Sequence, residues 1–572
     1  MTSKLKFHRR SDSLVRSGIR FRDQLKLLAK PEIGFIKSIV IITLTISFLN
    51  LGVPLAIQTI VNNIVVRTII QPLIVMSCLL FFILSCCGVL QAIQTYTVEI
   101  LQRRLFIRYG LVIGERLTAY QDQQFKKANS PDLINRYFDV MTMQSNMVTF
   151  FVNGFGFIIQ FLIGFSLLIF YHPYFLGLAA FMAQFLIFTW YFFGPDGVKA
   201  GSPEADGKYN VVSWIEELSR VRNLFTSDSG KNFSNNKINT LFNRWLVVRN
   251  RLFKFQFRQH IALQVFSVIM NILLLLLGGF LVLKQQLSTG QLVAAALVVN
   301  SIISNIPNLQ SFFFSVYNYS TSLDMIARFY DFPLEQDKGQ LLAPKSFDFK
   351  FDNLHFEPNY NFNFEFKERT KNLIFIKSFS SMEHFYDGVM GFTDQVSGNV
   401  MYDGKLIQDL DIGEIRNHIQ LIAYDQFFSG SVLENLTGLG TKSSFTHTEL
   451  QDVLMRVGLF ENIDKLPHKL ETQIRPNGFP FTKSQLLAIQ VAKAILLQPK
   501  ILMVTPDYEQ ISTYKRKLIY SELLNRQNNW TLLFFTQRFH KGSFDRFSVL
   551  ERNKMKDLTG EADLLKEIEN YV

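Results

Sequence analysis

Cysteine is scarce: Cys78, Cys86 and Cys87 are the three in 572 residues, and all lie in one apolar stretch. That excludes a disulfide-stapled fold and a thiolate metal centre, and leaves the three as small buried hydrophobes. Charge is low as well. Asp, Glu, Lys and Arg make up 19% of the chain, against roughly 25% in soluble domains, which fits neither a disordered chain nor a wholly soluble one. None of the nine His pairs with Cys or carboxylates at ligand spacing, so no metal site is expected. No basic run carries interleaved aromatics, so the net charge of +12 gives no reason to expect a nucleic-acid partner. No apolar h-region precedes Phe35, so no cleavable signal is read there. Internal repeats and low-complexity tracts are absent too.

What is present is apolar surface. Hydrophobic residues reach 48%, and 57 are Phe. Six runs are long enough to cross ~30 Å of hydrocarbon. They cover about Phe35–Ile60 (broken at Pro54), Ile69–Ile93, Met147–Tyr171, Tyr174–Phe193, Ile261–Leu283 and Leu292–Phe314, the last containing Pro307. Connections 1–2, 3–4 and 5–6 are short, whereas 2–3 and 4–5 run to about 50 and 65 residues.

Charge sorts with the long connections. Ten Lys and Arg lie in residues 1–37, seven between Arg103 and Arg136, and eleven between Lys199 and Arg258. Only Arg67 and Lys284 fall on the other side. The excess of Lys and Arg places both termini and both long connections in the cytoplasm. Trp214, Ile215, Leu218, Val221 and Leu224 recur at helical spacing, so the spans are expected to continue as helices beyond the bilayer. Arg20–Lys37 reads as an interfacial amphipathic helix. No Asp, Glu, Lys or Arg sits at mid-membrane depth, which gives an ion relay no support. Gln160, Gln184, Asn271, Asn300 and Asn305 read as interhelical hydrogen-bonding residues, with a substrate path as the other reading.

The expected organisation is a cytoplasmic segment with an interfacial helix (1–33), a six-helix transmembrane domain with cytoplasmic helix extensions (34–330), a polar linker (331–346) and an α/β domain (347–572). In the last, strand-like runs Leu373–Ile376, Ile419–Ala423, Ile501–Val504 and Thr531–Phe535 alternate with helical stretches, the pattern of a mostly parallel sheet.

This layout resembles a half-size type I ABC exporter of the type I secretion family. Leu51–Gln58 (LGVPLAIQ), Thr289–Leu292 (TGQL), Ser322–Phe329 (SLDMIARF), Val400–Gly404 (VMYDG), Ser431–Asn435 (SVLEN), Leu466–Pro467 and Ala492–Pro499 (AKAILLQP) are similar to family words in the family's order. The resemblance implies a six-span helical domain followed by a P-loop-like nucleotide-binding domain, in a dimer whose two ATP sites are each shared between chains. It also implies an inner-membrane location.

The family's chemistry is altered at each motif. The phosphate loop GxxxxGK(S/T) needs glycines so that backbone N–H groups can wrap phosphates, and Lys to neutralise them. Here the positions read Lys377, Ser378, Phe379, Ser380, Ser381, Met382, Glu383, His384 and then Phe385. Lys377 and Met382 replace the glycines, Glu383 the lysine, and His384 the magnesium-binding hydroxyl. One unit charge at ~4 Å is worth about 4 kcal/mol at an effective dielectric of 20, so the Lys-to-Glu exchange alone disfavours ATP by powers of ten. The magnesium Asp and catalytic Glu positions fall on Thr505 and Pro506, the switch His on Gln537, and the Q-loop Gln on Tyr424. The LSGGQ signature reads Phe481, Thr482, Lys483, Ser484 and Gln485. Gly438–Ser443 mimics a phosphate loop, but it follows no strand and is read as a turn.

From these letters ATP and magnesium binding are expected to be lost, no residue is assigned a catalytic role, and the chain is expected to be no ATPase. Three roles follow: a dimeric pseudo-ATPase scaffold or conduit in an envelope complex, docked by resemblance to a periplasmic adaptor or another envelope protein; a transport subunit driven by an ATPase-competent ABC partner; or a membrane anchor whose cytoplasmic domain binds a regulatory protein. The bilayer is a partner in all three, and the chain pairs as a homodimer or with an ABC-type subunit. With about 33 residues before span 1, no leader-peptide processing by this chain is expected.

Overall fold

The computed structural model describes residues 32–50, 52–65, 71–121, 125, 130–335, 345–356, 360–392, 397–438, 440, 445–511, 513–551 and 554–569. Most of the predicted interfacial helix, most of the linker and most of Gly438–Ser443 lie outside the described residues. The chain forms two compact units, Met1–Glu335 and Gln336–Val572.

In the first unit, six helical stretches among the described residues are long and apolar enough to cross a membrane: Ile33–Val61, Leu73–Thr118, Leu133–Phe170, Phe175–Arg220, Asp228–Leu283 and Gly290–Tyr330. Each contains one of the six apolar runs or nearly all of it. Large side chains such as Phe81, Phe82 and Phe170 stand exposed on them, an arrangement stable in lipid and costly in water. The protein is a membrane protein.

Several helices are far longer than a bilayer requires. Gln71–Thr118 has 48 residues, Phe175–Arg220 has 46 and Asp228–Leu283 has 56. At ~1.5 Å per residue the last is about 84 Å long, nearly three times a hydrocarbon core of ~30 Å. Charge accumulates on these extensions and organises their packing. Asp206 takes Arg136 at 3.1 Å and Arg328 at 2.8 Å, and the Tyr209 hydroxyl donates to Asp139 at 2.6 Å. Close approach is also needed where the helix Phe175–Arg220 passes Tyr317, because a Cβ on Gly197 would run into that ring.

Among the described residues twelve strands build the second unit: β1 (Phe349–Phe356), β2 (Tyr360–Phe366), β3 (Lys371–Ile376), β4 (Ser397–Tyr402), β5 (Lys405–Leu406), β6 (Ile419–Ile422), β7 (Gly430–Ser431), β8 (Gln473–Ile474), β9 (Ile501–Val504), β10 (Thr531–Thr536), β11 (Arg546–Leu550) and β12 (Met555–Leu558). The main sheet has the order β12-β11-β3-β10-β9-β6, parallel throughout except for the edge pair β11–β12. β3, β9 and β10 are buried along their whole length, as near-continuous apolar strands in a doubly covered sheet must be. All four strands read from the sequence lie here.

A second sheet, β2-β1-β4-β5, is antiparallel and was not anticipated. Its inner face is a phenylalanine layer in period-2 register, with Phe349 opposite Phe366 and Phe351 opposite Phe364. Phe385, fully buried on the helix Phe379–Met390, sits among these rings with centroid separations of 5.3 Å to Phe351 and 5.4 Å to Phe364 and Phe535. Much of the excess phenylalanine in this unit therefore serves as the mortar between two sheets.

Candidate functional site

Parallel α/β sheets offer their ligand crevice at the carboxyl ends of the strands. Here those ends carry Lys377 after β3, Thr505 after β9, Gln537 after β10 and, one residue beyond Ala423, Tyr424 after β6. The fold therefore places all four along one edge of one sheet.

The segment after β3 is the largest departure from a phosphate loop. Only Lys377 and Ser378 separate the strand from the helix Phe379–Met390. No residue from 377 to 390 takes a positive φ; Gly391, at φ 67°, is the first that does. Met382, Glu383, His384 and Phe385 consequently lie within the helix. The first four N–H groups of a helix are free of intrahelical bonds, and counted from the N-cap those belong to Ser378 through Ser381. The side chains follow suit. His384 Nδ1 turns back to the Ser380 carbonyl oxygen at 2.6 Å, Ser380 Oγ pairs with Ser378 Oγ at 3.0 Å, Met382 packs on the core, and Glu383 is exposed.

Lys377 is engaged elsewhere. Its Nζ donates to Glu551 at 3.0 Å and to Glu567 at 3.3 Å. The Glu551 carboxylate, aided by Glu567 and opposed by desolvation, holds this ammonium above the ordinary lysine range.

The signature positions form a capped helix start. Thr482 Oγ1 accepts from Gln485 N at 3.3 Å and Gln485 Oε1 accepts from Thr482 N at 2.8 Å, a complete capping box on the 15-residue helix Lys483–Leu497. Phe481 is buried, Ser484 and Gln485 are half-buried, and Thr482 and Lys483 are exposed. The Lys483 ammonium stands 4.5 Å from the Tyr424 ring centre, which joins the signature and Q-loop positions within one chain. Thr505 Oγ1 donates to the Ile422 carbonyl oxygen at 3.1 Å, and Pro506 opens a short 3-10 helix ending at Gln510.

A cluster not singled out from the sequence lies just beyond. Glu509 accepts from Thr536 Oγ1 at 3.0 Å, pairs with Arg538 Nε at 3.1 Å, and has His540 Nε2 at 3.7 Å, outside hydrogen-bond range. Burial pushes the Glu509 carboxyl up, but His540, Thr536 and Arg538 outweigh it and leave it below the ordinary range. Glu509 and His540 each stand three residues past the positions, Pro506 and Gln537, where the family pattern puts its acid and its histidine. That common offset was the available signal. Among the described residues no group of His, Cys, Asp and Glu is arranged to hold a metal.

No protein-family model matches the chain. It is 23% identical over 367 residues to the "Multidrug resistance ABC transporter ATP-binding and permease protein" of Lactococcus lactis, a match covering 60% of this chain and 59% of that protein's length. It is 21% identical over 559 residues to the "Transport/processing ATP-binding protein ComA" of Streptococcus pneumoniae, covering 95% of this chain and 76% of the relative. Against the "Pediocin PA-1 transport/processing ATP-binding protein PedD" of Pediococcus acidilactici it is 23% identical, covering 61% of this chain and half of the relative. Among solved structures, a bacterial Atm1-family ABC exporter with ATP bound superposes with a TM-score of 0.77, at 13% identity, over 95% of this chain and 97% of the other.

One expectation is corrected by these relationships. The altered motif letters led to the reading that the chain is no ATPase, yet the relatives are ATP-binding transport proteins. The chain has the ABC-exporter fold, six membrane-spanning helical stretches followed by a C-terminal α/β domain of the nucleotide-binding type, and its homologues are ABC exporters.

Proposed function

We propose that this chain is a transport subunit of an ATP-driven ABC-type exporter, seated in the inner membrane with both termini cytoplasmic and working as one half of a dimer. Its clustering of Lys and Arg on the terminal segment and the long helix extensions supports that orientation. Relatives named as transport/processing proteins support export as the direction.

In this reading ATP sits on an ABC-type partner's phosphate loop and is closed upon by this chain's Thr482–Gln485 turn. The observation that carries it is the contrast between two helix starts in the α/β unit. The helix Phe379–Met390 begins without a glycine nest or a side-chain cap, its nearest lysine is tied to Glu551 and Glu567, and Glu383 stands exposed on it. A magnesium nucleotide does not fit there. The helix Lys483–Leu497 presents the opposite character, with a complete side-chain cap and the exposed cation of Lys483 at the positive end of a helix dipole. Thr482 keeps a hydroxyl where the signature has Ser, and that hydroxyl holds the turn in shape through Gln485, so the anion-binding character of this half-site rests on Lys483 and the helix dipole.

The test is purification of the complex with its partner, followed by ATPase and nucleotide photolabelling. Lys483→Glu is expected to cut the activity of the complex about tenfold, the effect of about 1.4 kcal/mol, while Glu383→Ala leaves it unchanged. A homodimer with no nucleotide-dependent activity would overturn the proposal. Co-purification of a periplasmic adaptor would extend it to an envelope-spanning assembly.

A further inference from the structure

One face of the helix Asp228–Leu283 changes character along its length. Arg251, Lys254, Arg258, Ile261, Val265 and Ile272 follow one another in steps of three, four or seven residues, the spacing that keeps side chains on one stripe. All six are exposed. Around the helix from them, Leu252, Gln259, Leu263 and Phe266 are buried. The exposed stripe is apolar from Ile261 onward, where the helix enters the hydrocarbon, and cationic from Arg258 back to Arg251.

Depth and charge narrow what this stripe can meet. The apolar run Ile261–Leu283 makes about 34 Å of helix, enough to fill a hydrocarbon core of ~30 Å. Arg258, Lys254 and Arg251 follow about 4.5, 10 and 15 Å beyond Ile261. The headgroup layer is ~5–8 Å deep on each side of the core, and its negative potential reaches about 8 Å further. The three cations therefore stand in that layer or just above it. No acid accompanies them in sequence, because after Asp228 the chain has no Asp or Glu until Asp324. Arg251, Lys254 and Arg258 make no ion pair or side-chain hydrogen bond among the described residues. Arg249, by contrast, pairs with Glu204 of the neighbouring helix Phe175–Arg220 at 3.6 Å. Phe253 and Phe257, both exposed, stack at 5.5 Å beside the cations, as aromatics at a membrane border do.

We propose that Arg251, Lys254 and Arg258 hold the headgroup phosphate of an anionic phospholipid, whose acyl chains lie along Ile261, Val265 and Ile272. Lys254 and Arg258 are one helical turn apart, so one phosphodiester can accept from both. Arg251 adds a third charge a turn further out. A zwitterionic lipid brings its own cation to the same place and gains less from the three. A protein partner on this stripe would have to bring carboxylates to match them, since a guanidinium buried without a counter-charge is costly. The membrane already holds the matching negative charge at that depth. The export reading does not enter this inference. Only the identity of the leaflet, the cytoplasmic one, rests on the orientation proposed above.

The experiment uses the full-length protein, purified with its partner, in phosphatidylcholine nanodiscs at about 0.15 M salt. The probe is phosphatidylglycerol carrying a diazirine on an acyl chain, mapped by mass spectrometry after irradiation. Saturable labelling of the segment from Arg258 to Ile272 is expected, competed by unlabelled phosphatidylglycerol and not by added phosphatidylcholine. Lys254→Gln should weaken apparent affinity about fivefold, and Lys254→Gln with Arg258→Gln about thirtyfold. Lys254→Arg should keep most of it, which separates lost charge from lost folding. Equal competition by phosphatidylcholine, labelling unchanged in the double variant, or displacement by inorganic phosphate as readily as by the lipid overturns the proposal. Benzoylphenylalanine placed at Val265 should trap lipid in the same preparation. Trapping a protein chain there overturns the proposal and makes the stripe a subunit interface. Both leaflets carry the probe, so the labelling holds whichever way the chain is inserted, and cysteine accessibility in cells tests the orientation separately.

Discussion

The Lys483 ammonium stands 4.5 Å from the centre of the Tyr424 ring, so the turn before the helix Lys483–Leu497 is latched to the segment that leaves β6. Both side chains are exposed, and an exposed cation–π contact is worth about 0.5–1 kcal/mol. Lys483→Met and Tyr424→Leu are each expected to destabilise the α/β unit by no more than about 1 kcal/mol, with a coupling of about 0.5 kcal/mol in a double-mutant cycle. Urea unfolding of the four proteins measures it.

Phe385 joins the two sheets of that unit at full burial, with rings of both around it. Phe385→Ala leaves a cavity that the surrounding rings cannot collapse into. It should cost about 3–5 kcal/mol, read as a lower urea midpoint by pulse proteolysis. Phe385→Leu should cost markedly less.

Lys371 is a buried lysine at the start of β3, its Nζ donating to the Asn528 and Trp530 carbonyl oxygens at 3.1 and 3.0 Å. Desolvation, against the attraction of Asp545, pulls its ammonium down to about 8 from an ordinary 10.5. Above pH 8 the unfolded chain therefore binds more protons than the folded one, and stability rises with pH; below pH 8 both forms are protonated and the penalty is complete. Tyr508 and Tyr520 act in the opposite sense near pH 10, because burial raises their phenols and the unfolded state ionises first. From pH 8 to about 9.5 the α/β unit should gain on the order of 2 kcal/mol. Lys371→Met should remove that rise in pulse-proteolysis measurements across the window.

Asp206 holds two arginines, Arg136 and Arg328, on the helix extensions. Arg136 is buried, with 7% of its side chain exposed, so Asp206→Asn takes one carboxylate from a guanidinium with little water, leaving Asp139 as the other nearby acid. A loss of about 3 kcal/mol is expected, seen as a lower melting temperature of the detergent-solubilised protein. Asp228→Asn, at an exposed pair, should change nothing measurable.

Membrane spans and parallel strands were legible because burial on all sides writes itself as unbroken apolar runs. The antiparallel sheet was harder to read, since its signal is the alternation Phe349, Phe351 and Phe362, Phe364, Phe366, spread over two short strands. The helix start at Phe379 was obscured by the family template. That template requires a loop, whereas Phe379–Met390 lacks glycine until Gly388 and is helical from Phe379 onward. Glu509 and His540 lie 31 positions apart, and only the pairing of β9 with β10 brings them near. The expectation of no ATPase rested on motif letters alone, and the relatives, which are ATP-binding transport proteins, overturn it.

The most direct test of the shared-site mechanism is photolabelling with 8-azido-ATP and vanadate trapping of the native complex in proteoliposomes. Trapped nucleotide is expected on the partner subunit's phosphate loop, with cross-links from its terminal phosphate region to Thr482 or Lys483 of this chain, and loss of trapping in Lys483→Glu. Trapped nucleotide on residues 377–384 of this chain would contradict the mechanism, as would a complex that traps none.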